Sequence, residues 1–589
     1  MLTGDTDNFL YSLPIVMACS LVASRIVSMT FIPLLGYYIL RPGHEMPIEE
    51  RRKTGFGAHY YAVGMWCIEH RWKVLVGPLG VLVLGGVIFT RLDQQFFPAD
   101  EFYLSYADVW LPEDAPVVAS DEVAQKAEKI IRDEFDKMSK EKGQAVLTRL
   151  TTFVGGGGPR FWFSVSPELQ TPNYAQILIE VADKHDTAEA VPRLQQALSE
   201  NVAGARIDVR QLETGKAVGV PVAVRLSGPD LGILKEIGSR VKEIFIREPL
   251  CTRVRDDWGE DALVVKLDTN TDKANMSGVS NYDVASASVT GVTGSQVGVL
   301  RQADKLIPIV ATLRMEERGQ LGDLRSMYVY SSQSNVRVPI TQVAEINYGL
   351  QTSRIARRNQ FRTMTIGAFP VDGVLPSVVM NKLRDKIDAI KKTLPNGYIL
   401  EVGGEEEDQI KGFGELILVM AISVVMIYLA LVFQFKNAIK PFIVFAAIPY
   451  GITGALWIMR QPFGFMAFLG VVSLIGVIVS HIIVLFDFIE EAHERGESLI
   501  VSLLDAGVLR LRPVLITVGA TVIALFPLAA HGGPLWQPMC YAQAGGLTAA
   551  TVITLLLVPV FYSIAVLDLK IVHWEGEIGG GSTTAKDAA

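Results

Sequence analysis

The sequence has little cysteine, a low share of charged residues and none of the short motifs that mark common enzymes. Its cysteines, Cys19, Cys67, Cys251 and Cys540, show no metal-type or redox-type spacing, which excludes a zinc site or a disulfide framework. Lys and Arg number 54 against 62 Asp and Glu, and the net charge of −8 argues against nucleic-acid binding. No GxxxxGK, HExxH or GxSxG motif is present. The sequence therefore predicts a protein that is not an enzyme.

Long apolar runs are abundant instead. The hydrophobic fraction is 50%, the charged fraction 20% and the mean hydropathy +0.31, which is too apolar for an ordinary soluble protein of this size. A helix needs roughly 20 apolar residues to cross a bilayer. The runs that approach or exceed this length lie at 13–40, 74–90, 416–435, 441–459, 465–488, 513–530 and 542–567. The run at 74–90 is short, but Arg71 and Arg91 can extend to the interfaces from its two ends.

Basic residues predict the orientation of these spans, because Lys and Arg are retained on the cytoplasmic side of short loops. Residues 41–73 contain Arg51, Arg52 and Lys53 and are predicted to form a cytoplasmic amphipathic segment. Residues 93–412 are then external, and the tail at 571–589 is cytoplasmic. The same arithmetic places residues 1–12 outside without a signal sequence, so we expect an N-terminal part to be missing.

The external region alternates between strand and helix patterns. Residues 98–218 show the order strand, helix, strand, strand, helix, strand, which is typical of a ferredoxin-like, split βαβ module. The order begins again in 219–268, including a strand near 262–267, and finishes in 352–403. Residues 269–351 are therefore predicted to be an insertion. The expected fold class is a multi-pass α-helical membrane protein with a large external α+β region.

The insertion holds two alternating stretches, at 296–301 and 306–313, separated by Ala303 and Asp304. This pattern predicts a β-hairpin. It is either a projection that docks onto a partner or an ordinary two-stranded ribbon, and the pattern alone does not separate the two.

A second segment, at 153–163, places four consecutive glycines between aromatic residues. A glycine-rich backbone adopts unusual dihedral angles, which suits a loop that changes shape as a pocket fills and empties. The alternative is a flexible turn between core aromatic residues. On a strand, Phe161 and Phe163 would face one side and Trp162 the other. The candidate pocket residues are Phe153, Gly155, Gly156, Gly157, Gly158, Phe161 and Phe163.

Ionisable residues at membrane depth are expensive and are candidates for function. His481 and Asp487 lie in the run at 465–488. Ser480 shares a helical face with Asp487, while His481 is turned by about 100°. Asp487 is close to the inner end, where solvation at the interface is the simpler interpretation. For His481 we favour a functional role over a packing role.

Four strings in these segments carry a family resemblance: FFPAD at 96–100, GVVSLIGVIVSHIIVLFDF at 470–488, RLRPVLIT at 510–517 and LVPVFY at 557–562. With two external modules between one span and five closing spans, the chain resembles the C-terminal half of a resistance-nodulation-division efflux permease. The similar branch is the hydrophobe/amphiphile (AcrB/AcrD/AcrF-like) branch. The span within 1–40 is similar to the sixth helix of a twelve-helix permease, followed by segments 41–73 and 74–92 and the closing helices in 413–570.

The resemblance implies a proton-driven antiporter that exports drugs or other amphiphilic small molecules and uses the proton-motive force rather than a cofactor. It implies a homotrimer in the inner membrane of a Gram-negative bacterium, working with a periplasmic adaptor and an outer-membrane channel. Residues 269–351 would be a docking or funnel domain whose hairpin reaches a neighbouring protomer. The glycine-rich segment would be a switch loop, and the missing N-terminal half would supply the other helices.

In similar pumps the proton relay combines a lysine on the tenth helix, a threonine and an arginine on the eleventh, and two acidic residues on the fourth. Thr517 and Arg510 match the eleventh-helix positions, whereas Ser480 occupies the place of the lysine. Serine cannot pair with a carboxylate as a cation. The relay then uses His481, with an ordinary pKa of about 6.5, as a substitute titrating group, depends on other residues, or is lost, and the hypothesis we carry forward is His481. Asp487 completes the set of relay candidates.

Two other functions stay open. The chain could be a non-transporting half that assembles with or regulates another permease. A metal-exporting branch of the same superfamily binds soft cations through clustered methionines. The external methionines are widely separated in sequence, which makes metal export the less favoured interpretation; they are Met276, Met315, Met327 and Met364.

Overall fold

The chain begins with helices, two of which are long, apolar and not covered by other described parts of the chain. The computed structural model describes residues 11–39, 47–98, 101–162, 164–212, 219–314, 317, 321–333, 336–435, 438, 440–442, 456, 458–571 and 574. The first helices are α1 (Ser12–Ile39), α2 (Ile48–Arg51), α3 (Gly55–Glu69) and α4 (Arg71–Thr90). No described residue of α1 or α4 is buried within the chain. Both helices are long and apolar enough to cross a membrane, as their sequences predicted.

The first external sheet follows. Its elements are β1 (Leu104–Trp110), α5 (Val117–Lys142), β2 (Leu147–Val154), β3 (Tyr174–Val181), α6 (His185–Asn201) and β4 (Arg206–Gln211). The strands are antiparallel in the order β2-β3-β1-β4. Helix α5 buries Ala127, Ile131 and Phe135, spaced three or four residues apart, against one face of this sheet. The opposite face is therefore free of helices from this module.

A second sheet begins and is then interrupted. Its first elements are β5 (Val222–Gly228), α7 (Leu231–Ile246) and β6 (Cys251–Asp256). The interruption contains β7 (Asp261–Thr269), α8 (Thr271–Met276), α9 (Asn281–Val292), β8 (Ser295–Gln302), β9 (Lys305–Ala311), a 3-10 helix (Leu321–Ser326), β10 (Tyr328–Tyr330), β11 (Arg337–Pro339), α10 (Ile340–Val343) and β12 (Ala344–Thr352). Strand β7 pairs with β12 along its whole length.

This pairing moves the boundary of the insertion. The sequence pattern assigned the strand near 262–267 to the second module, but β7 joins β12 rather than the second sheet. The separate compact unit consists of Pro112–Pro116 and Trp258–Ala356. The insertion thus begins at Trp258 instead of 269 and ends at Ala356 instead of 351. Both strands of the hairpin, β8 and β9, are within this unit, and Ala303 makes the turn with φ of 52°.

The second sheet is completed after the insertion. Its remaining elements are β13 (Arg357–Arg358), β14 (Phe361–Pro370), α11 (Pro376–Lys392) and β15 (Ile399–Gly403). The strand order is β13-β14-β5-β15, and β6 also pairs with β14. Helices α7 and α11 bury apolar residues such as Val241 and Leu383 on this sheet. Strands β5, β6, β14 and β15 thus repeat the strand order of the first sheet.

Long helices close the chain. They are α12 (Gly404–Phe435), α13 (Phe465–Glu494), α14 (Leu499–His531) and α15 (Gly533–Ser563), which continues as a π-helical turn (Ile564–Asp568). Among the described residues, five helices could each span a membrane, and a sixth span is possible from Gly533–Val552 and Thr554–Asp568, bent by 45°. The predicted spans at 513–530 and 542–567 are parts of the longer helices α14 and α15. The predicted span at 441–459 lies largely outside the described residues.

Helix α12 begins at the second sheet, before its apolar stretch. Gly404 has φ of +67°, and a Cβ there would lie 2.3 Å from the carbonyl oxygen of Pro221. The Glu405 carboxylate accepts a hydrogen bond of 2.6 Å from the backbone N–H of Phe96. Glu407 accepts one of 2.6 Å from Arg358. The segment predicted to start at 413 is therefore tied directly to the second sheet.

Candidate functional site

The helix-free face of the first sheet is polar and aromatic. Because side chains alternate along a strand, Ala107 and Val109 of β1 point into the helical core, while Asp108 and Trp110 point to the other face. The registers place Asp108 opposite Asp208 on one side and Gln176 on the other. Trp110 lies against the ring of Tyr174 with a centroid distance of 4.4 Å. On this face Tyr174, Gln176 and Asp208 are buried, and the Trp110 ring beside them is partly exposed.

Asp108 is held in a small hydrogen-bond network. The hydroxyl of Tyr174 donates to Asp108 Oδ1 at 2.7 Å, and Gln176 Nε2 donates to the same oxygen at 3.2 Å. Burial raises the pKa of Asp108, and the nearby Arg210 guanidinium partly opposes this. Gln176 in turn accepts a hydrogen bond of 3.0 Å from the backbone N–H of Gly158. The network therefore joins the sheet face to the glycine-rich loop.

The glycine-rich loop requires glycine for steric reasons. A Cβ on Gly157 would lie 2.8 Å from the backbone nitrogen of Glu168, and one on Gly158 would lie 2.7 Å from the Phe153 ring. Gly155 has φ of +77°, and a Cβ on Gly156 would be 3.4 Å from the Gln170 side chain. The loop is thus closely packed over the end of β2.

The aromatic residues after the loop diverge. The Phe161 ring meets Tyr106 edge-on at 6.1 Å, and Trp162 contacts Phe102 at 4.3 Å. Residues 159–162 are not part of a strand, so the alternation expected for Phe161 and Trp162 on a strand does not apply here. Phe163 lies outside the described residues. The structure therefore places Phe161 at the sheet face, next to the residues already described.

Arginines from both sheets meet beside this face. The guanidiniums of Arg253, Arg210 and Arg255 lie 4.1, 4.8 and 5.1 Å from the ring centroid of Phe369. Asp208 is fully buried and is ion-paired with Arg255, and Arg253 Nη1 is 3.5 Å from its Oδ1. We call Arg210, Arg253, Arg255, Asp208 and Phe369 the arginine cluster. It contains residues of β4, β6 and β14, so it bridges the two sheets.

The electrostatics of the cluster are strongly perturbed. Burial alone would raise the pKa of Asp208, but Arg255 and Arg210 outweigh burial and hold this pKa below its usual range. Burial lowers the pKa of Arg253, and Asp208 opposes that change. Groups of this kind are concentrated at functional sites, although structural ion pairs also produce them. The cluster thus combines an aromatic ring with charged hydrogen-bond donors around one buried carboxylate.

Sequence reasoning missed this cluster. The segment Arg206–Gln211 alternates charged Arg206, Asp208 and Arg210 with apolar residues, which is the signal of a charged strand face. That signal was visible in the sequence. The contribution of Arg253 and Arg255 was not, because it depends on how β6 meets the first sheet.

The intramembrane candidates are only partly brought together. Asp487 accepts a hydrogen bond from Gln434 and interacts electrostatically with Arg510. The hydroxyl of Ser480 donates to the Val477 carbonyl at 2.8 Å, and that of Thr517 donates to the Pro513 carbonyl at 2.9 Å. Both bonds lie within one helix. Threonine and serine in membrane helices often form such a bond to a preceding carbonyl, so these bonds do not by themselves indicate a role in a proton relay.

His481 stands apart from these residues. It is half-buried on α13, and none of the described residues forms an ion pair or hydrogen bond with its ring. Within the described part of the chain, no group of three or more His, Cys, Asp or Glu is positioned to hold a metal ion. The external methionines that are described include exposed Met276 and buried Met327 and Met364; Met315 lies outside the described residues.

Comparison with known proteins decides the family. A family model described as the AcrB/AcrD/AcrF family matches residues 1–566. The chain belongs to the AcrB/AcrD/AcrF family. The resemblance to resistance-nodulation-division permeases read from the four strings is therefore confirmed.

Two curated proteins similar to this AcrB/AcrD/AcrF family member have names that describe different properties. It is 24% identical over 575 residues to the swarming motility protein SwrC of Bacillus subtilis, covering 94% of this chain and 51% of SwrC. It is 25% identical over 590 residues to the cobalt-zinc-cadmium resistance protein CzcA of Cupriavidus metallidurans, covering 96% of this chain and 53% of CzcA. The chain spans about half the length of the curated relatives it matches.

A solved structure shares the fold of this family member. The X-ray crystal structure of a heavy metal efflux pump superposes with a TM-score of 0.68 at 18% sequence identity. The match covers 86% of this chain and 51% of the pump. The common element is the resistance-nodulation-division permease fold, with its apolar helices and sheet-rich region.

Proposed function

We propose that the chain is part of a proton-driven efflux transporter that exports small amphiphilic organic molecules. The observation that carries this proposal is the polar and aromatic sheet face beside the glycine-rich loop, where rings, amides and charges converge. Amphiphiles are recognised by surfaces that combine apolar rings with a few fixed polar groups. Family membership supports transport as the activity.

In this proposal the two sheets are ferredoxin-like porter modules in the periplasm, within residues 93–412. The glycine-rich loop is the switch between filled and empty pockets. The long helices lie in the inner membrane of a Gram-negative cell. Transport belongs to a complete permease of about twice this length, as the coverage of the relatives suggests.

Proton coupling is assigned to His481 of α13, with Asp487 further along the same helix and Arg510 on α14 as the other relay candidates. An imidazole can load and release a proton near neutral pH. Its acidic partner would come from another part of the permease. The energy source is then the proton-motive force, and no cofactor is needed.

The hairpin of β8 and β9 is the basis of the proposed assembly of protomers. Apolar side chains on both its strands are exposed, among them Val297, Leu300 and Leu306, with Val297 66% exposed. Exposed apolar surfaces of this kind mark contacts with other proteins. We assign the hairpin to a neighbouring protomer in a homotrimer, and the insertion to docking of a periplasmic adaptor and an outer-membrane channel.

Metal-ion export is the second candidate, because CzcA carries cobalt, zinc and cadmium resistance in its name and the structural neighbour is titled a heavy metal efflux pump. Soft cations need clustered thiolate, thioether or imidazole ligands. Met276 and Met327 belong to the inserted unit, whereas Met364 belongs to the second sheet, where its sulfur packs close to Gly238. The organic substrate is therefore preferred. A regulatory half-permease is the remaining alternative.

The test is an efflux assay in a Gram-negative host that lacks its own efflux pumps, expressing the complete permease that contains this chain. We expect cells to accumulate about threefold less of the fluorescent amphiphile dansylglycine methyl ester, with unchanged tolerance to cobalt, zinc and cadmium. Increased metal tolerance with unchanged accumulation of the ester would support metal export instead. No change in either would support a regulatory role.

A further inference from the structure

Three guanidiniums share one aromatic ring in the arginine cluster. Arg210, Arg253 and Arg255 all lie within 5.1 Å of the centroid of Phe369. Arg206 extends the positive surface along β4 and lies over the Trp110 ring at 5.4 Å. Arginine stacks flat on aromatic rings, an arrangement that keeps its N–H donors in the plane of the group. The cluster thus presents several directed cationic donors beside an aromatic surface.

Most carboxylates near the arginine cluster already form ion pairs or accept hydrogen bonds. Asp208 accepts from Arg255, and Asp108 accepts from Tyr174 and Gln176. Asp256, on the same strand as the arginines, is paired with Lys242 at 3.0 Å. Asp372 acts on Arg253 only through a longer-range electrostatic interaction. The arginines of the cluster repel each other in a partly desolvated site, which costs free energy. An anion bound among them would reduce this cost.

A purely structural contact between the sheets would not need this arrangement. One arginine suffices to neutralise Asp208, and Arg255 does so. Arg253, which also lies 3.5 Å from Asp208, donates to the side-chain oxygen of Gln195 at 2.8 Å, and Arg210 donates to the carbonyl oxygen of Gly219 at 2.8 Å. The Arg253 side chain keeps 25% of its surface exposed. The arginines can therefore reach a ligand without losing Asp208 as their anchor.

We propose that the arginine cluster recognises the anionic group of the transported molecule. The inferred ligand is an amphiphile with a carboxylate, sulfonate or phosphate at one end. Its oxyanion lies between Arg253 and Arg255, and its apolar body lies on the partly exposed ring of Trp110. This inference rests on the proposed function and narrows the substrate to anionic amphiphiles.

The test uses three dansyl probes with the same apolar body. Dansylglycine carries a carboxylate, its methyl ester is neutral, and dansylethylenediamine is a cation. Fluorescence anisotropy measures their binding to the full purified chain in lipid nanodiscs. Dansylglycine is expected to bind about tenfold more tightly than the ester, since an ionic hydrogen bond contributes an effect of that size. High salt should reduce this preference.

Variants locate the site. The double variant R253Q/R255Q is expected to bring dansylglycine and the ester to within about twofold of each other, because it removes the ionic donors. The matched control is R247Q, which changes the exposed arginine directly after α7, ion-paired with Glu243 of that helix, and it should keep the preference. Circular dichroism and size-exclusion chromatography monitor folding. The pair R253K/R255K preserves charge but not the planar fork, so we expect it to fold and to lose about threefold of the preference.

The outcomes separate this inference from the proposed function. Equal binding of all three probes by the unmodified chain, or an unchanged preference in the lysine or glutamine variants, would overturn anion recognition at this cluster. Binding of the neutral ester would still support the export of amphiphiles. If no probe binds, the proposed function itself is contradicted, and this inference with it.

Discussion

Asp208 links the two sheets at the level of a single side chain. It is fully buried and ion-paired, and it sits between arginines of β4 and β6. Removing one partner of a buried ion pair costs about 3 to 5 kcal/mol, because the other charge is left uncompensated. The same residue thus stabilises the junction and holds the arginines in position.

The change Asp208→Asn should therefore lower the free energy of unfolding by about 3 kcal/mol at pH 7. The folded-state pKa of Asp208 lies below its usual value because Arg255 and Arg210 outweigh the effect of burial. Its stabilising contribution is thus complete above the usual pKa of about 3.9 and is lost as pH falls through the lower folded-state pKa. Denaturant titrations of the purified chain between pH 7 and pH 3 should show the two proteins converging at the acid end.

The matched control is Asp136→Asn, on the exposed face of α5, which should change stability by less than about 0.5 kcal/mol. A constant difference between Asp208→Asn and the unmodified chain at every pH would show that the carboxylate charge is not what stabilises the junction.

Sequence patterns could have identified two of the five residues of this cluster, Asp208 and Arg210. The alternation of Arg206, Asp208 and Arg210 marks a charged strand face by itself. The other three are Arg253, Arg255 and Phe369, whose proximity depends on contacts between strands far apart in sequence. Local periodicity carries no information about such contacts.

The glycine-rich loop is the clearest feature at the level of elements. Gly157→Ala places a Cβ against the backbone nitrogen of Glu168, which cannot move as a side chain could. We expect a loss of about 1 to 3 kcal/mol in stability and weaker binding of dansylglycine methyl ester. Thermal unfolding and anisotropy titrations measure the two effects.

Gly349→Ala is the control for this change. It adds the same methyl group to β12, where no atom lies within 4 Å of the new Cβ. If both variants behave like the unmodified chain, the loop tolerates a side chain and its glycines are not required for the shape of the pocket.

Local periodicity predicted which segments are strands. It did not predict which sheet a strand joins, because that depends on its pairing partner. The strands of the first sheet were expected from patterns within 98–218 and occur there in the predicted order with the two helices. Strand β7 was also expected, but its partner was not, because β12 lies about 80 residues further along the chain. A strand pattern shows that a segment is extended and not which sheet it joins.

The whole molecule combines long apolar helices with two sheets of the same strand order. The helices were predictable because a bilayer requires long apolar runs, and no tertiary contact is needed to recognise them. Their arrangement was not predictable from composition. The electrostatic interaction of Asp487 with Arg510 and the extension of α12 to Gly404 both depend on packing.

Proton coupling provides the most direct test of the account. The complete permease that contains this chain is reconstituted in proteoliposomes, and movement of dansylglycine is measured after a pH gradient is imposed. We expect the gradient to drive transport, and we expect His481→Ala to reduce the rate at least about tenfold because it removes the titrating group. His493→Ala, on the same helix with its ring stacked on Trp574, should leave transport unchanged. Transport that does not respond to the gradient, or that survives in His481→Ala, would contradict the account.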